Sequence, residues 1–297
     1  MKKLNIKGAI PPMITPFKEN GAVDFDGHAM NMDLWNKTTL GGYLVLGSNS
    51  ETAYLNEKEK IELISITVKH AKQGRTILAG TGMESAQETI ALTGKAADLG
   101  VDAALVLTPS FYSGKMNDEA LISFFTKVAD SVPIPVLIYN VPKFTHVNIS
   151  FNAVRELCKH PNILGMKDST GDFSQLIKFK SIVPDDFCLI VGTASIWLPA
   201  LTIGIRAGIL ALANCAPEAC AEVQRLFEEN KFNEANELYL RLHPVNAAVT
   251  ETFGVPGLKY ACDLRGYRGG HVRNPLLPIK NEDKPRMLDI MQKAGLI

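Results

Sequence analysis

PVLIYNVP (135–142) and ILGMKDS (163–169), with one amphipathic stretch between them, are the two runs on which the fold turns. Each is continuously apolar and breaks into polar residues only at its end, without the alternation of a half-exposed strand. Runs of this kind are what strands covered on both faces look like. Working outward, the same unit recurs. GAIPPMITPF (8–17), GGYLVLGSN (41–49), TILAGTG (76–82) and AALVLTP (103–109) precede the pair, and CLIVGTA (188–194) and GILALAN (208–214) follow it. That makes eight. Strands alternating with helices predict a parallel sheet, and eight units is the number that closes one into a (β/α)8, or TIM, barrel. A doubly wound open sheet is the structural alternative, because the pattern does not itself show closure. Beyond about residue 225 the remaining segments read as helical. Residues 1–225 are therefore assigned to a barrel carrying the active site, and 226–297 to a C-terminal helical extension packed on it.

The segments between the runs carry helix signals. Ser85 with Glu88 spells a capping box, in which each side chain satisfies an orphan backbone donor of the first turn. Asn56 with Glu59 and Asp172 with Gln175 are looser forms of the same device. Leu121, Phe124, Phe125 and Val128 recur at helical spacing and give one apolar stripe to lay on a sheet. Gly100 is placed to stop the helix begun at Ser85, and Pro217 suits a first turn.

Composition narrows the chemistry. Of 297 residues, 46% are hydrophobic and 21% charged, with 31 basic and 31 acidic side chains giving no net charge. There is no electrostatic case for nucleic acid or for an anionic membrane as partner. No apolar run approaches the roughly 20 residues of a membrane span. The five cysteines, Cys158, Cys188, Cys215, Cys220 and Cys262, include no C-x-x-C pair and read as reduced, mostly buried thiols. The six histidines form no H-E-x-x-H or other close pair, so no metal site is expected. Gly80-Thr81-Gly82 followed by Ser85 lacks the third glycine of a dinucleotide fingerprint, and Gly94-Lys95 lacks the rest of a phosphate loop. No cofactor is expected. The opening MKKLNIKGAIPPMITPF has lysines, but prolines break its apolar part, which argues against a secretory signal and for a cytoplasmic protein.

In barrels of this class chemistry sits at the C-terminal ends of the strands. Lys167 interrupts ILGM, where an ammonium has no natural place. Burial disfavours the charged form, so the pKa is expected to fall below about 10.4 and leave a neutral amine able to attack a carbonyl. The plainer reading is a lysine paired to a barrel carboxylate such as Asp168. Tyr139 ends PVLIY and is either a core tyrosine or a proton shuttle. Gly47-Ser48-Asn49-Ser50-Glu51 offers backbone N–H groups and hydroxyls suited to a carboxylate or phosphate, or is simply a turn.

Together GSNSE (47–51), TPSFY (108–112), YNVP (139–142) and GMKDST (165–170) resemble the dihydrodipicolinate synthase / N-acetylneuraminate lyase family over essentially the whole chain. Within it LAGTGMES (78–85), SVPIPV (131–136), HPNILGMKDS (160–169) and PVNAAVTETFGVPGLK (244–259) look like the 4-hydroxy-2-oxoglutarate aldolase branch. The resemblance implies a class I, Schiff-base lyase that handles pyruvate and an aldehyde. Lys167 would form the imine and Tyr139 would move protons. Ser48, where the family usually has threonine, would extend the proton relay and, with Asn49, hold the pyruvate carboxylate. Ser169, Thr193 and Ile209 are the further expected substrate contacts. Tyr112 matches a tyrosine that family members insert into a neighbouring subunit's site, which implies a homodimer or homotetramer.

Departures bear on the substrate. Phe144 stands where the synthases usually have an arginine for aspartate semialdehyde, and Gly192-Thr193-Ala194 lacks the acidic residues of sialic-acid lyases. His146 replaces a common glycine. The distal half of the substrate is then left to Phe144, His146, Ser169, Thr193 and Asn214. The expected reaction is 4-hydroxy-2-oxoglutarate to pyruvate plus glyoxylate. The alternatives are a dihydrodipicolinate (4-hydroxy-tetrahydrodipicolinate) synthase, a 2-oxo-3-deoxy sugar-acid aldolase or dehydratase, or a non-catalytic 2-oxo-acid sensor.

Overall fold

The eight runs become eight strands: β1 Gly8–Ile10, β2 Gly42–Val45, β3 Thr76–Gly80, β4 Ala103–Leu107, β5 Val136–Asn140, β6 Ile163–Asp168, β7 Cys188–Val191 and β8 Ala207–Ile209. The computed structural model describes residues 6–297; Met1–Asn5, two of whose lysines entered the expectation about secretion, lie outside the described residues. All pairings are parallel, in the order β1-β8-β7-β6-β5-β4-β3-β2. The two ends of that order meet. Gly41 N–H donates to Ala9 O (2.9 Å), Leu44 N–H to Pro11 O (3.1 Å) and Met13 N–H to Leu44 O (2.9 Å). The sheet thus closes into a (β/α)8 barrel, and the open doubly wound alternative is excluded. Closure needs Gly41: a Cβ there would stand 1.7 Å from Lys7 O.

Strands are shorter than the runs, for identifiable reasons. Pro11 and Pro12 have no N–H to continue a ladder, so the run 8–17 yields a three-residue strand. The run 208–214 leaves β8 for a 3-10 turn, Ala211–Asn214. Asn214, placed by sequence among the distal substrate contacts, is spent on structure. It accepts from Ile14 N (3.1 Å) and donates to Pro12 O (3.1 Å) and Ala211 O (3.0 Å).

Two apolar layers result. The barrel interior is filled by Ile10, Leu44, Leu78, Leu105, Leu137, Ile190, Ile209 and their neighbours, with Tyr139 among them. Residues on the other faces of the strands, such as Val45, Val106, Ile138, Met166 and Val191, pack against the surrounding helices. The caps rank differently from expectation. Asn56 and Glu59 form the complete reciprocal box, at 2.9 Å each way. Ser85 and Asp172 make only the forward bond, and Gln175 turns its amide to Asp168 and Asn148 instead. Residue 225 falls inside Pro217–Glu228, the helix that follows β8. Helices Phe232–Ala247, Gly254–Leu264 and Lys284–Lys293 come after it, the first two joined by a π-helical turn, Ala248–Thr252. Among the described residues no helix is long and apolar enough to cross a membrane.

Candidate active site

β5 and β6 set Tyr139 opposite Lys167 and Asn140 opposite Asp168. Successive strand residues face opposite ways, so the first pair points into the barrel and the second toward the helices. Lys167 is 3% exposed, and its Nζ lies 4.1 Å from the centroid of the Tyr139 ring. Among the described residues no carboxylate comes within ion-pair distance of it. Asp168, the partner offered by the plainer reading, is turned away. It accepts from Asn140 Nδ2 (2.7 Å), Thr170 Oγ1 (2.5 Å) and Gln175 Nε2 (3.2 Å). Burial holds its carboxyl above the usual range despite those donors. Asn140 also donates to Asn148 (2.8 Å), so this network locks β5 to β6 from outside and holds the Tyr139–Lys167 register.

Burial alone would raise the Tyr139 phenol. The charge of Lys167 and hydrogen bonds with Ser48 and Ser169 outweigh it, and the net shift is downward. Ser48 Oγ stands 3.4 Å from the phenolic oxygen, at the long end for a hydrogen bond. Ser48–Ser50 is a 3-10 turn directly after β2, which leaves Ser48 and Asn49 half-buried. Ser169 reaches the site because residue 192 is glycine. Its Oγ bonds Gly192 O (3.4 Å), and a Cβ at 192 would lie 1.8 Å from that oxygen.

The other expected contacts are less direct. Thr193 caps the turn Ala194–Ile196, its hydroxyl 2.9 Å from Ser195 Oγ. Ile209 is fully buried and shares the interior cluster with Tyr139. Tyr112 is 70% exposed, edge-on to Phe111 at 5.0 Å, on the loop after β4. Phe144 is exposed on the short helix Pro142–Thr145 after β5. His146 follows it at φ 55°, the conformation that glycine adopts freely.

Sequence reasoning passed over three groups. Glu84 accepts from Ser110 N (2.9 Å), Ser110 Oγ (2.8 Å) and Phe111 N (2.9 Å), and so pins the aromatic loop. The Asn140–Asp168–Gln175 network gave no signal, because its members are far apart in sequence. Lys259 did give one. It interrupts an apolar helix as Lys167 interrupts a strand, and it is buried against Glu51. All five cysteines are free, and burial pushes Cys215 up to about 12, which makes it a packing thiol rather than a nucleophile.

The comparisons with known proteins converge. The dihydrodipicolinate synthetase family matches residues 5–294. A 4-hydroxy-tetrahydrodipicolinate synthase from Methanothrix thermoacetophila is 35% identical, covering 97% of each chain. The fold superposes on dihydrodipicolinate synthase from Bacillus anthracis with TM-score 0.93 at 28% identity, covering 97% of this chain and 98% of that one. It superposes equally, TM-score 0.93 at 27% identity over 99% and 100%, on the Acinetobacter baumannii synthase complexed with pyruvate. The family is one of enzymes that make or break carbon–carbon bonds. The chain belongs to the dihydrodipicolinate synthetase family. The relatives carry the synthase name rather than that of the aldolase branch, which moves the weight from the expected 4-hydroxy-2-oxoglutarate reaction to its first alternative.

Proposed function

We propose that the protein condenses pyruvate with an aldehyde through an imine at Lys167. The observation that carries this reading is a buried amine, without a counter-carboxylate among the described residues, stacked over a buried phenol at the C-terminal mouth of the barrel. The Lys167 amine adds to the 2-oxo carbon and water leaves as the imine forms. Loss of a C3 proton gives the enamine, whose C3 attacks the aldehyde carbon, and water then frees the product from the lysine. Tyr139, its pKa lowered, carries the protons between these steps, with Ser48 as the next relay. Ser48 and Asn49 receive the pyruvate carboxylate through hydroxyl, amide and backbone N–H groups. Tyr112, exposed beside Phe111, enters the site of a second copy, in a homodimer or homotetramer.

The relatives' name supports aspartate semialdehyde as the aldehyde and synthesis as the direction. Phe144 supports a second reading, cleavage of 4-hydroxy-2-oxoglutarate to pyruvate and glyoxylate, because it puts an apolar ring where the synthases usually present arginine. A pocket that leaves a substrate carboxylate unpaired rejects it by several kcal/mol, on the order of 10²-fold or more.

Borohydride added with pyruvate is expected to fix a mass increment on the peptide containing GMKDST. An adduct elsewhere, or none on folded protein, overturns the mechanism. The kcat/KM for condensation with aspartate semialdehyde against that for cleavage of 4-hydroxy-2-oxoglutarate then chooses between the two readings. For assembly, Tyr112→Phe is expected to slow turnover while leaving trapping intact. Mixing it with Lys167→Ala under subunit exchange should restore activity, and a fully active monomer contradicts the role of Tyr112.

A further inference from the structure

The loop that carries Ser48 and Asn49 is built of two short 3-10 turns, Ser48–Ser50 and Thr52–Tyr54, that meet at Glu51. Ser50 N–H bonds Gly47 O (3.0 Å), Glu51 N–H bonds Ser48 O (3.1 Å), Tyr54 N–H bonds Glu51 O (2.9 Å), and Ser50 Oγ donates to Met13 O (2.5 Å). Glu51, which closes it, is a non-glycine residue in the left-handed region, φ 53° and ψ 37°. Such a conformation persists where surrounding structure over-determines it.

The side chain of Glu51 is anchored from the far end of the chain. The Glu51 side chain is 1% exposed, and its Oε1 lies 2.5 Å from Nζ of Lys259, also 1% exposed, on the helix Gly254–Leu264. Oε2 accepts the Arg273 backbone N–H at 2.8 Å. Lys259 in turn donates to His271 O (2.5 Å) and sits 4.5 Å from the centroid of the Phe17 ring. Arg273 stacks on that ring at 4.3 Å and forks onto Glu59 at 2.7 and 2.8 Å. Both oxygens of Glu51 are thus held by the segment 259–273, with only Asn49 and Ser50 between Glu51 and Ser48, whose hydroxyl faces Tyr139.

Burying two charges here is an expensive way to join an extension to a barrel; an apolar pair of the same volume would do so with less desolvation. An apolar pair could not, however, fix a carboxylate-bearing residue in one left-handed setting. We infer that Lys259 is a positioning residue: through Glu51 it sets the Ser48–Asn49 turn against Tyr139, and so governs how the substrate carboxylate is held. The inference deepens the proposed function and rests on it. Lys259 touches neither Tyr139 nor Lys167; it acts only through the loop.

The test separates positioning from mere stability. Three variants bear on the clamp: Lys259→Met, the charge-neutral double variant Glu51→Gln/Lys259→Met, and the near-isosteric Glu51→Gln. The control is Asn31→Ala, which removes the bonds to Arg268 O (2.9 Å) and Arg268 N (2.6 Å) and loosens the same seam without touching Glu51. Borohydride trapping and initial rates are followed against pyruvate concentration. The clamp variants are expected to need about tenfold more pyruvate for half-saturation, with kcat falling less, and to trap at Lys167 when saturated. Asn31→Ala is expected to melt earlier with its pyruvate half-saturation unchanged. If Lys259→Met does not fold, the double variant and Glu51→Gln decide. A folded clamp variant that half-saturates as the unaltered protein does overturns the positioning role. Failure of the unaltered protein to trap pyruvate overturns instead the reading of the site, and the inference with it.

Discussion

Three lysines, Lys60, Lys167 and Lys259, are buried among the described residues, and only Lys259 has a carboxylate at ion-pair distance. Lys167 lies in the barrel over the Tyr139 ring, 4.1 Å from its centroid, with no carboxylate at ion-pair distance among the described residues. Lys259 lies at the seam between barrel and extension, 4.5 Å from the Phe17 centroid, with Glu51 at 2.5 Å. Burial pulls the Lys259 amine below its ordinary range, and Glu51 only partly restores it. By its burial and lowered pKa Lys259 would itself qualify as a candidate nucleophile. The difference teaches that a reactive lysine is identified by what faces it. Lys259 has its amine occupied by a carboxylate, a carbonyl and an apolar ring, whereas Lys167 faces a phenol that two serine hydroxyls contact, at the end of a barrel strand.

The largest expected effect breaks the comparison if it fails. Lys167→Ala should lower turnover on the order of 10⁴-fold or more and abolish trapping, because the covalent route is lost. Its melting temperature should hold or rise, since no buried charge loses a partner. Lys259→Met should do the reverse for stability. It strands Glu51 in the interior at a cost of about 3–5 kcal/mol, read as a shift in denaturant midpoint. Mass spectrometry after borohydride and pyruvate should find the adduct on Lys167 in both the unaltered protein and the folded Lys259 variant. Substantial modification of Lys259 would show that the counter-ion does not protect it.

A smaller effect sharpens the role of the phenol. Tyr139→Phe keeps the ring under the Lys167 amine and removes only the hydroxyl shared with Ser48 and Ser169. Turnover is expected to drop roughly 10²- to 10⁴-fold, the range for losing a general acid–base group. The adduct should still form, more slowly, at the same lysine. An unchanged rate would leave Tyr139 as packing.

The comparison also marks what was legible in the sequence. The eight runs gave eight strands because strands covered on both faces must be apolar throughout, and Lys167 and Tyr139 stood out at their ends by breaking that rule. Closure was not legible, since it depends on Gly41 passing Lys7 and on Pro11 and Met13 meeting Leu44. Asn214 looked available for substrate because its backbone partners at 12 and 14 lie about two hundred residues away in the chain. Glu51 was read as part of a polar turn. Its carboxylate belongs to the Lys259 clamp, a pairing that no local pattern announces. The aldehyde partner was least legible of all, because Phe144 and the relatives' name favour different substrates.

The smallest expected effect uses another buried base, His28, which has no counter-ion among the described residues. It is 1% exposed on the helix Phe25–Trp35, with Nε2 2.9 Å from Thr67 Oγ1. The Thr67 hydroxyl donates to Leu63 O (2.8 Å), so it accepts from His28, which leaves Nδ1 a buried acceptor without a partner among the described residues. Burial, helped by the charge of His70, pushes the imidazole down to about 4 from 6.5. Between those values the unfolded chain binds a proton that the folded one refuses. Stability therefore falls as pH drops below 6.5 and stops falling, for this group, below about 4. The interval caps the loss at about 3 kcal/mol, with about 2 kcal/mol of it reached by pH 5. Denaturant midpoints measured from pH 7.5 to 5 should show that slope, and His28→Gln, which cannot titrate, should lack it. An equal slope in both proteins would place the acid sensitivity elsewhere and show that burial without a counter-ion costs His28 nothing.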